Sequence, residues 1–254
     1  MKNIPPVIAV TKNISTAEAQ FPMRINKYVA HVGIASRREA DVLIEKRQIL
    51  VNGKKAVTGQ QVNAGDVVTL KGETKAKQYL AYYKGRGTIS HSPGEKEVDI
   101  VMRLEQDFGI TNMSPVGRLD KASEGLIIIT SDGRITGPLL SPESGIEKEY
   151  QVEVDKKIST LFVHLMQNGV DIEGYQTKPT VVKPSTKNET KFNVTLTEGK
   201  KHQIRRMCAA LGYQVKNLKR VRIANIELKN IKPKQYRKIS GEELVEFLKQ
   251  INVQ

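Results

Sequence analysis

The sequence of residues 117–133 is GRLDKASEGLIIITSDG, which combines a carboxylate, flanking basic residues and an apolar run. One carboxylate, Asp120, lies between the basic side chains of Arg118 and Lys121 and precedes the apolar run of residues 126–129. Short apolar runs bounded by turn residues predict a buried strand. The strand would hold an acid at its entry, facing the polyanion that the basic residues attract. An Asp in a loop most often only caps a turn, so its function depends on the rest of the chain.

Length and charge set the class of protein. The chain has 254 residues, enough for one large domain or two smaller ones. It carries 41 Lys and Arg against 27 Asp and Glu, a formal charge of +14, which favours nucleic acid as a partner over an anionic membrane surface. The sequence contains no apolar run of about 18 residues that would span a bilayer and no signal-peptide pattern. We therefore expect a cytoplasmic protein.

Metal binding and disulfide formation are not expected. Cys208 is the only cysteine, which excludes an internal disulfide, and the four histidines lack the spacing of metal ligands. We expect Cys208 to fill the core side of a helix, as a small hydrophobic side chain does.

The N-terminal part of the chain divides into an arm and a small domain. Residues 1–22 mix Pro, Thr, Ser and Lys without a sustained period, which predicts a flexible arm. Residues 23–72 predict two short helices, the second opened by a capping box at Ser36, and a β-ribbon with an Asn-Gly turn at residues 52–53. Eight basic and three acidic residues lie between positions 24 and 55, so this domain carries excess positive charge.

Three strings in this small domain carry a family resemblance: RINKY at 24–28, SRREA at 36–40 and VNGK at 51–54. Together with the order of the elements, they resemble the S4 RNA-binding domain. The resemblance implies that the domain binds RNA and that Arg37, Arg38 and Lys54 contact the substrate. The two arginines lie in a first helical turn, which already favours phosphate. The alternative is a solvated charged face, the usual fate of charge runs.

A second, larger domain is expected after a linker. Residues 73–78 are polar and charged, which predicts the linker, and residues 79–254 follow as the second domain. Its strands alternate with helices and have the pattern of half-buried strands. We therefore expect a mixed, mostly antiparallel sheet and an α+β fold for the chain. The last helix is predicted to begin at a second capping box, from Ser240 to Glu243.

The second domain carries three motifs of a known enzyme family. The opening stretch resembles the catalytic motif of RNA pseudouridine synthases, Gly-Arg-Leu-Asp followed by Ser/Thr-x-Gly-Leu, with matching spacing through Gly125. Tyr150 matches the position of their active-site tyrosine, and HQIRR at 202–206 resembles their (His/Arg)-Gln-Ile-Arg-Arg motif. Gly85 departs from the family pattern, which has Pro after the lysine. Over residues 23–250 the chain resembles the RsuA/RluF-type ribosomal RNA pseudouridine synthases, closest to the RluF branch.

The resemblance implies a reaction and the residues that carry it. The enzyme detaches uracil from its ribose, turns it and rejoins it through carbon, without a cofactor. Asp120 is then the catalytic carboxylate, which either attacks the anomeric carbon or removes a ribose proton. Arg205 is the expected cation that keeps this acid ionised. Tyr150 is expected to stack on the uracil and to relay the proton lost from its C5 atom.

Further residues are implied in substrate binding. Ile204 is expected to pack on the other side of the base, and Arg118 to fill the space that the flipped uridine leaves in the RNA. Lys84 and Arg206, which belong to the matched motifs, are expected to contact the substrate as well. The expected partner is ribosomal RNA, in particular a 23S stem-loop, and the protein is expected to be a monomer.

Three other functions are open to the same residues. A two-carboxylate hydrolase could use Asp120 with Glu124, but it needs sugar-binding aromatic residues and the chain has no Trp. A non-catalytic S4-type ribosome-associated protein treats Asp120, Tyr150 and Arg205 as a coincidence. A membrane-surface protein needs an amphipathic helix with a broad apolar face, and the helix predicted within residues 200–211 has only a narrow apolar stripe.

Overall fold

Two compact units divide the chain. The first unit consists of residues 1–77 and 132–134, and the second of residues 78–131 and 135–254. The main change of unit, between residues 77 and 78, falls in the range expected for the linker. The computed structural model describes residues 7–9, 21–32, 34–71, 76–90 and 98–253.

The first unit combines two helices with short antiparallel strands. The bounds of its elements are β1 Val7–Ala9, β2 Met23–Arg24, α1 Ile25–His31, α2 Arg37–Glu45, β3 Ile49–Val51, β4 Lys54–Lys55, β5 Gln61–Val62 and β6 Val68–Lys71. Four strands form a sheet in the order β1-β6-β3-β4, and β2 pairs with β5. The apolar stripes of both helices are buried in one core with residues of these strands.

Two local sequence signals of the first unit are confirmed. Glu39 N donates to Ser36 Oγ at 3.3 Å and Ser36 N donates to Glu39 Oε2 at 2.8 Å, so the capping box opens α2. The turn between β3 and β4 has φ +50° at Asn52 and +77° at Gly53. Positive φ at both central residues is what a type I′ hairpin turn requires, and Asn-Gly adopts it at little cost.

Part of the expected flexible arm is a strand instead. β1 pairs antiparallel with β6, with Val7 opposite Lys71 and Ala9 opposite Thr69. The expectation for residues 1–22 is corrected at these three positions, because the free edge of β6 offers backbone partners to a short apolar segment. Residues 1–6 and 10–20 lie outside the described part of the chain.

The second unit is built on one sheet of nine strands. Its elements are β7 Tyr79–Lys84, α3 Ile100–Phe108, β8 Ser114–Val116, β9 Glu124–Thr130, α4 Thr136–Leu140, β10 Lys148–Val154, α5 Thr160–Asn168, β11 Val181–Pro184, β12 Lys191–Leu196, α6 Gln203–Ala210, β13 Val215–Ile223, β14 Ile226–Glu227, β15 Tyr236–Lys238 and α7 Gly241–Gln250. The strand order is β11-β12-β10-β13-β9-β7-β15, with β14 on β13 and β8 on β9. Only the β9–β13 pair is parallel among the described strands. The expected α+β fold with a mostly antiparallel sheet is confirmed.

Strand β9 is buried on both faces, as the apolar run of residues 126–129 predicts, whereas the domain's other strands are expected to be half-buried. Leu126 and Ile128 belong to a core cluster that includes residues of α7. Ile127 and Ile129 belong to another cluster, with Ile100 of α3. Helices cover both faces, which explains the continuous apolar run. The strand is therefore a rigid base for the loop that precedes it.

A further core cluster joins α5 and α6 to the strands β10 to β13. Cys208 on α6 is fully buried in it, as predicted, and burial raises the pKa of its thiol to about 12. Among the helices that the structure describes, none has the length and apolar character needed to cross a membrane.

The second capping box, expected at the start of α7, does not form. Ser240 occupies the N-cap position, but its side chain makes no capping hydrogen bond. The carboxylate of Glu243 is bound instead by Arg237, at 2.7 Å, and by Lys229, at 3.3 Å. These charged partners take the carboxylate away from the N-cap backbone, a competition that the local sequence does not reveal.

Candidate active site

The loop between β8 and β9 carries Asp120, and buried polar side chains fix its backbone. Ser90 donates from Oγ to the Leu119 carbonyl at 2.8 Å and accepts from the Leu119 amide at 2.9 Å. Lys84 donates from Nζ to the carbonyls of Asp120, at 3.0 Å, and Ser123, at 2.7 Å. The Asp120 carboxylate keeps 36% of its surface exposed. The acid is therefore held from behind and remains open in front.

Lys84 has a structural role rather than the expected contact with substrate. It is fully buried, and its ammonium group also donates to the Gly85 carbonyl at 3.3 Å. Three carbonyl oxygens therefore use its three N–H groups. Burial lowers the pKa of Lys84 to about 8, an effect that the nearby charge of Asp120 opposes. The substrate-binding prediction for Lys84 is corrected, because no donor is left for a ligand.

His202, rather than Arg205, contacts the Asp120 carboxylate. The distance from His202 Nδ1 to Asp120 Oδ2 is 3.0 Å. Arg205 donates to the Val215 carbonyl at 3.1 Å, and to the Ala122 carbonyl and the Ser123 Oγ at 3.4 Å each. The guanidinium thus ties α6 to the backbone just after the acid. The ion pair expected between Arg205 and Asp120 is absent within the described part of the chain.

One cleft of about 770 Å³ brings four of the expected residues together. Asp120 and Arg118 come from the loop, Tyr150 from β10 and Ile204 from α6. Arg118 is exposed, whereas Ile204 is buried and Tyr150 is half-buried. The cleft thus offers an acid, a basic rim and a flat apolar surface to one ligand.

Arg206 is not among the residues of this cleft. Its Nη2 group donates to the Ile172 carbonyl and to Glu173 Oε2, both at 2.8 Å. The side chain therefore points toward the turn after α5, and the contact with substrate expected for Arg206 is corrected on this geometry.

The preceding Gln203 has a clear structural partner. Its Nε2 donates to the buried Glu198 at 2.6 Å, and Glu198 also accepts from the Tyr175 hydroxyl, at 2.7 Å, and the Lys178 amide, at 3.0 Å. Burial acts to raise the pKa of Glu198, but these hydrogen bonds outweigh it and lower the pKa. The buried acid fixes the turn that places His202 at the N-cap of α6.

Two cations of the cleft were not found by sequence reasoning. Lys148 is half-buried on β10 and donates to the Ile146 carbonyl at 3.1 Å. Arg220 on β13 is 5% exposed, and its Nε donates to the Leu126 carbonyl at 2.7 Å. Tyr150 lies directly opposite Arg220 in the β10–β13 register. The position of Lys148, two residues before Tyr150, can be read from the sequence. The proximity of Arg220 becomes evident only from the pairing of β10 with β13.

Gly125 lets the two strands that carry this site approach each other. Its φ is +112°, and a Cβ atom there would lie 2.2 Å from the Arg220 carbonyl oxygen and 2.6 Å from the Arg220 nitrogen. Only glycine fits both the conformation and the contact. The glycine of the sequence motif is therefore required for the parallel pairing of β9 with β13.

The first unit presents its expected RNA contacts as free cations. Arg37, Arg38 and Lys54 are exposed. None of them forms an ion pair with a described residue, in contrast to Lys77, which lies 3.2 Å from Glu39. Arg37 and Arg38 lie in the first turn of α2, and exposed cations at a helix N-terminus suit phosphate binding.

The fold and the site together define an enzyme that acts on a polyanion. Residues 78–210 match the RNA pseudouridylate synthase family, and residues 23–68 match the S4 domain. The chain belongs to the RNA pseudouridylate synthase family. It is an isomerase that converts uridine to pseudouridine in RNA, and it carries an S4 RNA-binding domain.

Relatives and a solved structure agree with this assignment. The chain is 40% identical to the dual-specificity RNA pseudouridine synthase RluF of Escherichia coli (strain K12), over 90% of this chain and 79% of that protein. It is 32% identical to the ribosomal large subunit pseudouridine synthase B of Buchnera aphidicola subsp. Acyrthosiphon pisum (strain APS), over 87% and 94%. A crystal structure of a pseudouridylate synthase, 24% identical, has a TM-score of 0.65 and covers 88% of this chain and 99% of that chain, which supports the fold. The family resemblance found in the sequence is confirmed.

Proposed function

We propose that this synthase isomerises a uridine of large-subunit ribosomal RNA in the cytoplasm, with Asp120 as its catalytic carboxylate. The observation that carries the proposal is the position of this acid. Its backbone is held from behind by Lys84 and Ser90, and its carboxylate opens into the cleft. The choice of RNA draws on the relative named for the ribosomal large subunit.

The other cleft residues fit the handling of one flipped nucleotide. Tyr150 would stack on the uracil, and Ile204 would pack on the other side of the base. Arg118, exposed beside the acid, would enter the space left in the RNA. Extruding a base costs a few kcal/mol of stacking and pairing, and such side chains offset that cost. Asp120 would then attack the anomeric carbon or remove a ribose proton.

Arg205 takes a different role from the one that the motif implies. We propose that Arg205 positions Asp120 by holding the backbone of residues 122–123. We also propose that His202 forms a hydrogen bond with the Asp120 carboxylate while no RNA is bound. The contacts at 3.4 Å from Arg205 and at 3.0 Å from His202 support this division. Arg205→Met should therefore lower the maximal rate, and His202→Gln, which keeps a hydrogen-bond donor, should retain most of it.

RNA binding is assigned to both units. We propose that Arg37, Arg38 and Lys54 of the first unit bind the phosphates of an RNA stem-loop. Exposed, unpaired cations are what such contacts require, and they would make affinity depend on salt. The first unit would then supply affinity, and the cleft of the second unit would supply the chemistry.

Asp120→Asn tests the catalytic assignment, because the change is isosteric and removes only the ionised oxygen. The probe is total RNA, tritiated at C5 of uridine, from cells that lack the gene. We expect no tritium release and unchanged RNA affinity. Asp107→Asn, at an exposed position near the end of α3, is the matched control and should keep full activity. Substantial release by Asp120→Asn would exclude this residue as the essential acid.

A further inference from the structure

The cleft is lined by two cations, Lys148 and Arg220, that have no carboxylate partner among the described residues. Lys148 uses one N–H group for the Ile146 carbonyl and has two left. Arg220 uses Nε for the Leu126 carbonyl, and its buried Nη2 has no hydrogen-bond partner among the described residues.

The nearby acids are already engaged. Asp120 contacts His202, and Glu198 accepts from Gln203. Glu147 and Glu149, which flank Lys148 in sequence, both accept from Arg222, at 2.9 and 3.1 Å. Within the described part of the chain, neither Lys148 nor Arg220 therefore forms an ion pair with a carboxylate, although each charge is carried by a partly or fully buried side chain.

Such a pair is unfavourable for the folded protein. Burial of an unpaired charge is costly, and like charges at short range add to that cost. Burial, and next the charge of Arg220, lower the pKa of Lys148 to about 8. The ammonium is still charged at neutral pH. Uncompensated charge inside a cleft is a feature of functional sites, where a ligand supplies the missing partner.

The position of the pair favours the base over the RNA backbone. Arg118, Lys200 and Lys201, which line the cleft and are exposed, are available to the phosphates of an RNA at its rim. Arg220, only 5% exposed, is accessible only to a group that enters the cleft. Lys148 lies two residues before Tyr150 on the same strand, so both side chains point to one face.

We propose that Lys148, with the charge of Arg220 beside it, stabilises the negative charge on the detached uracil. This proposal rests on the proposed function, because it places the base against Tyr150. When the bond between C1′ and N1 breaks, both electrons leave with the uracil. The resulting anion spreads its charge over the two carbonyl oxygens, whichever of its two roles Asp120 has.

The step needs no proton transfer from the lysine. An N–H group of Lys148 donates a hydrogen bond to a uracil carbonyl oxygen, and this bond strengthens as the charge develops. The charge disappears when C5 bonds to C1′, and the product stays neutral because N1 takes up a proton as the C5 proton leaves. A donor that binds the charged state better than the neutral uridine lowers the barrier.

Single-turnover tritium release, with enzyme in excess over the same total RNA, tests the proposal. Lys148→Met should lower the maximal rate by about 10²-fold, the effect of losing one such donor. The enzyme concentration for half-maximal rate should not change. The melting temperature should stay the same or rise, because an unpaired buried charge is removed. Lys183→Met, on the exposed face of β11, is the matched control and should change none of these values.

Other results would overturn the proposal. A higher half-maximal concentration with an unchanged maximal rate would make Lys148 a phosphate ligand. A lower melting temperature together with a lower rate would make its role structural, and unchanged values would remove any role. Asp120→Asn is measured in parallel. If Asp120→Asn abolishes release while Lys148→Met keeps the wild-type maximal rate, only this proposal fails, whereas wild-type release by both variants defeats the proposed function too.

A pH profile gives a second test with a variant that preserves the charge. Lys148 loses its charge above about pH 8, so the maximal rate of the wild type should fall there, and in Lys148→Arg the fall should move to higher pH. Lys84 has a similar pKa and is unchanged in the variant, so a fall in rate that stays at the same pH belongs to Lys84 and contradicts the proposal.

The charged groups that line the cleft around Lys148 are Arg118, Asp120, Lys121, Glu198, Lys200, Lys201, His202 and Arg220.

Discussion

The two units of this synthase use their cations in opposite ways. In the first unit Arg37 and Arg38 are exposed and have no carboxylate partner among the described residues. In the second unit Lys84 and Arg220 are buried and donate to backbone carbonyls. An exposed cation gives affinity that salt can screen. A buried cation shapes the backbone or acts on charge inside the cleft, so only the buried set should affect folding and maximal rate.

The largest effect is expected from Gly125→Ala in the second unit. A Cβ atom would collide with backbone atoms of Arg220, at 2.2 and 2.6 Å, and alanine is strained at φ +112°. The strands β9 and β13 would separate, with a loss on the order of 4 kcal/mol or more in unfolding free energy. Chemical denaturation measures the loss in unfolding free energy, and the soluble yield of the variant shows whether it still folds.

Gly137→Ala is the matched control for this substitution. Gly137 lies in α4, and a Cβ atom there would meet no other atom within 4 Å. Alanine in such a position should stabilise the protein by about 0.4–1 kcal/mol. Equal stability of the two alanine variants would mean that the close approach of β9 and β13 is not required.

The next largest effect is expected from Lys84→Met, which removes one of the two buried cations of the second unit. Methionine fills a similar volume but leaves the carbonyls of Gly85, Asp120 and Ser123 without their donor. We expect a loss of about 3–5 kcal/mol, as for other broken buried polar contacts, and a large fall in maximal rate because the Asp120 loop loosens. Thermal unfolding and tritium release measure the two effects. An active variant with an unchanged melting temperature would mean that Lys84 does not hold the loop.

The sequence predicted the elements well where one signal dominates. The stripes of α1 and α2, the Asn52-Gly53 turn and the apolar run of β9 are local patterns, and each formed as expected. The prediction failed where distant partners compete. Ser240 lost its capping box because Glu243 is bound by Arg237 and Lys229, and Val7–Ala9 became a strand because the edge of β6 accepts it.

The same distinction applies to the candidate site. The spacing of the motif around Asp120 and the position of Tyr150 are properties of the chain, so the sequence predicted both. Burial is a property of the assembled unit, so the sequence suggested a substrate contact for Lys84, which is fully buried. The neighbourhood of Lys148 and Arg220 depends on the register of β10 with β13, which no local pattern encodes.

A moderate effect is expected in the first unit from the double variant Arg37→Gln, Arg38→Gln. Each phosphate contact that is lost should flatten the slope of log affinity against log salt by about 0.7 to 0.9. The maximal rate at saturating enzyme should be unchanged, since neither residue belongs to the cleft. Lys249→Gln, exposed in the last turn of α7, is the control and should keep the slope. An unchanged slope in the double variant would mean that these arginines only form a solvated surface and do not contact phosphate.

The smallest effect is expected from replacing the N-cap serine of a helix in each unit. Ser36→Ala removes the hydroxyl that accepts from the Glu39 amide, so α2 should lose about 0.5–2 kcal/mol. Ser240→Ala removes a hydroxyl that makes no capping hydrogen bond, so α7 should lose nothing measurable. Hydrogen exchange of the backbone amides in α2 and α7 reports each helix separately, which a single melting temperature does not. Faster exchange in α2 alone would support the comparison, because identical sequence signals would then differ only through their partners. Equal acceleration in both helices would show that Ser240 also caps its helix in solution, and that the pairing of Glu243 with Arg237 does not displace it.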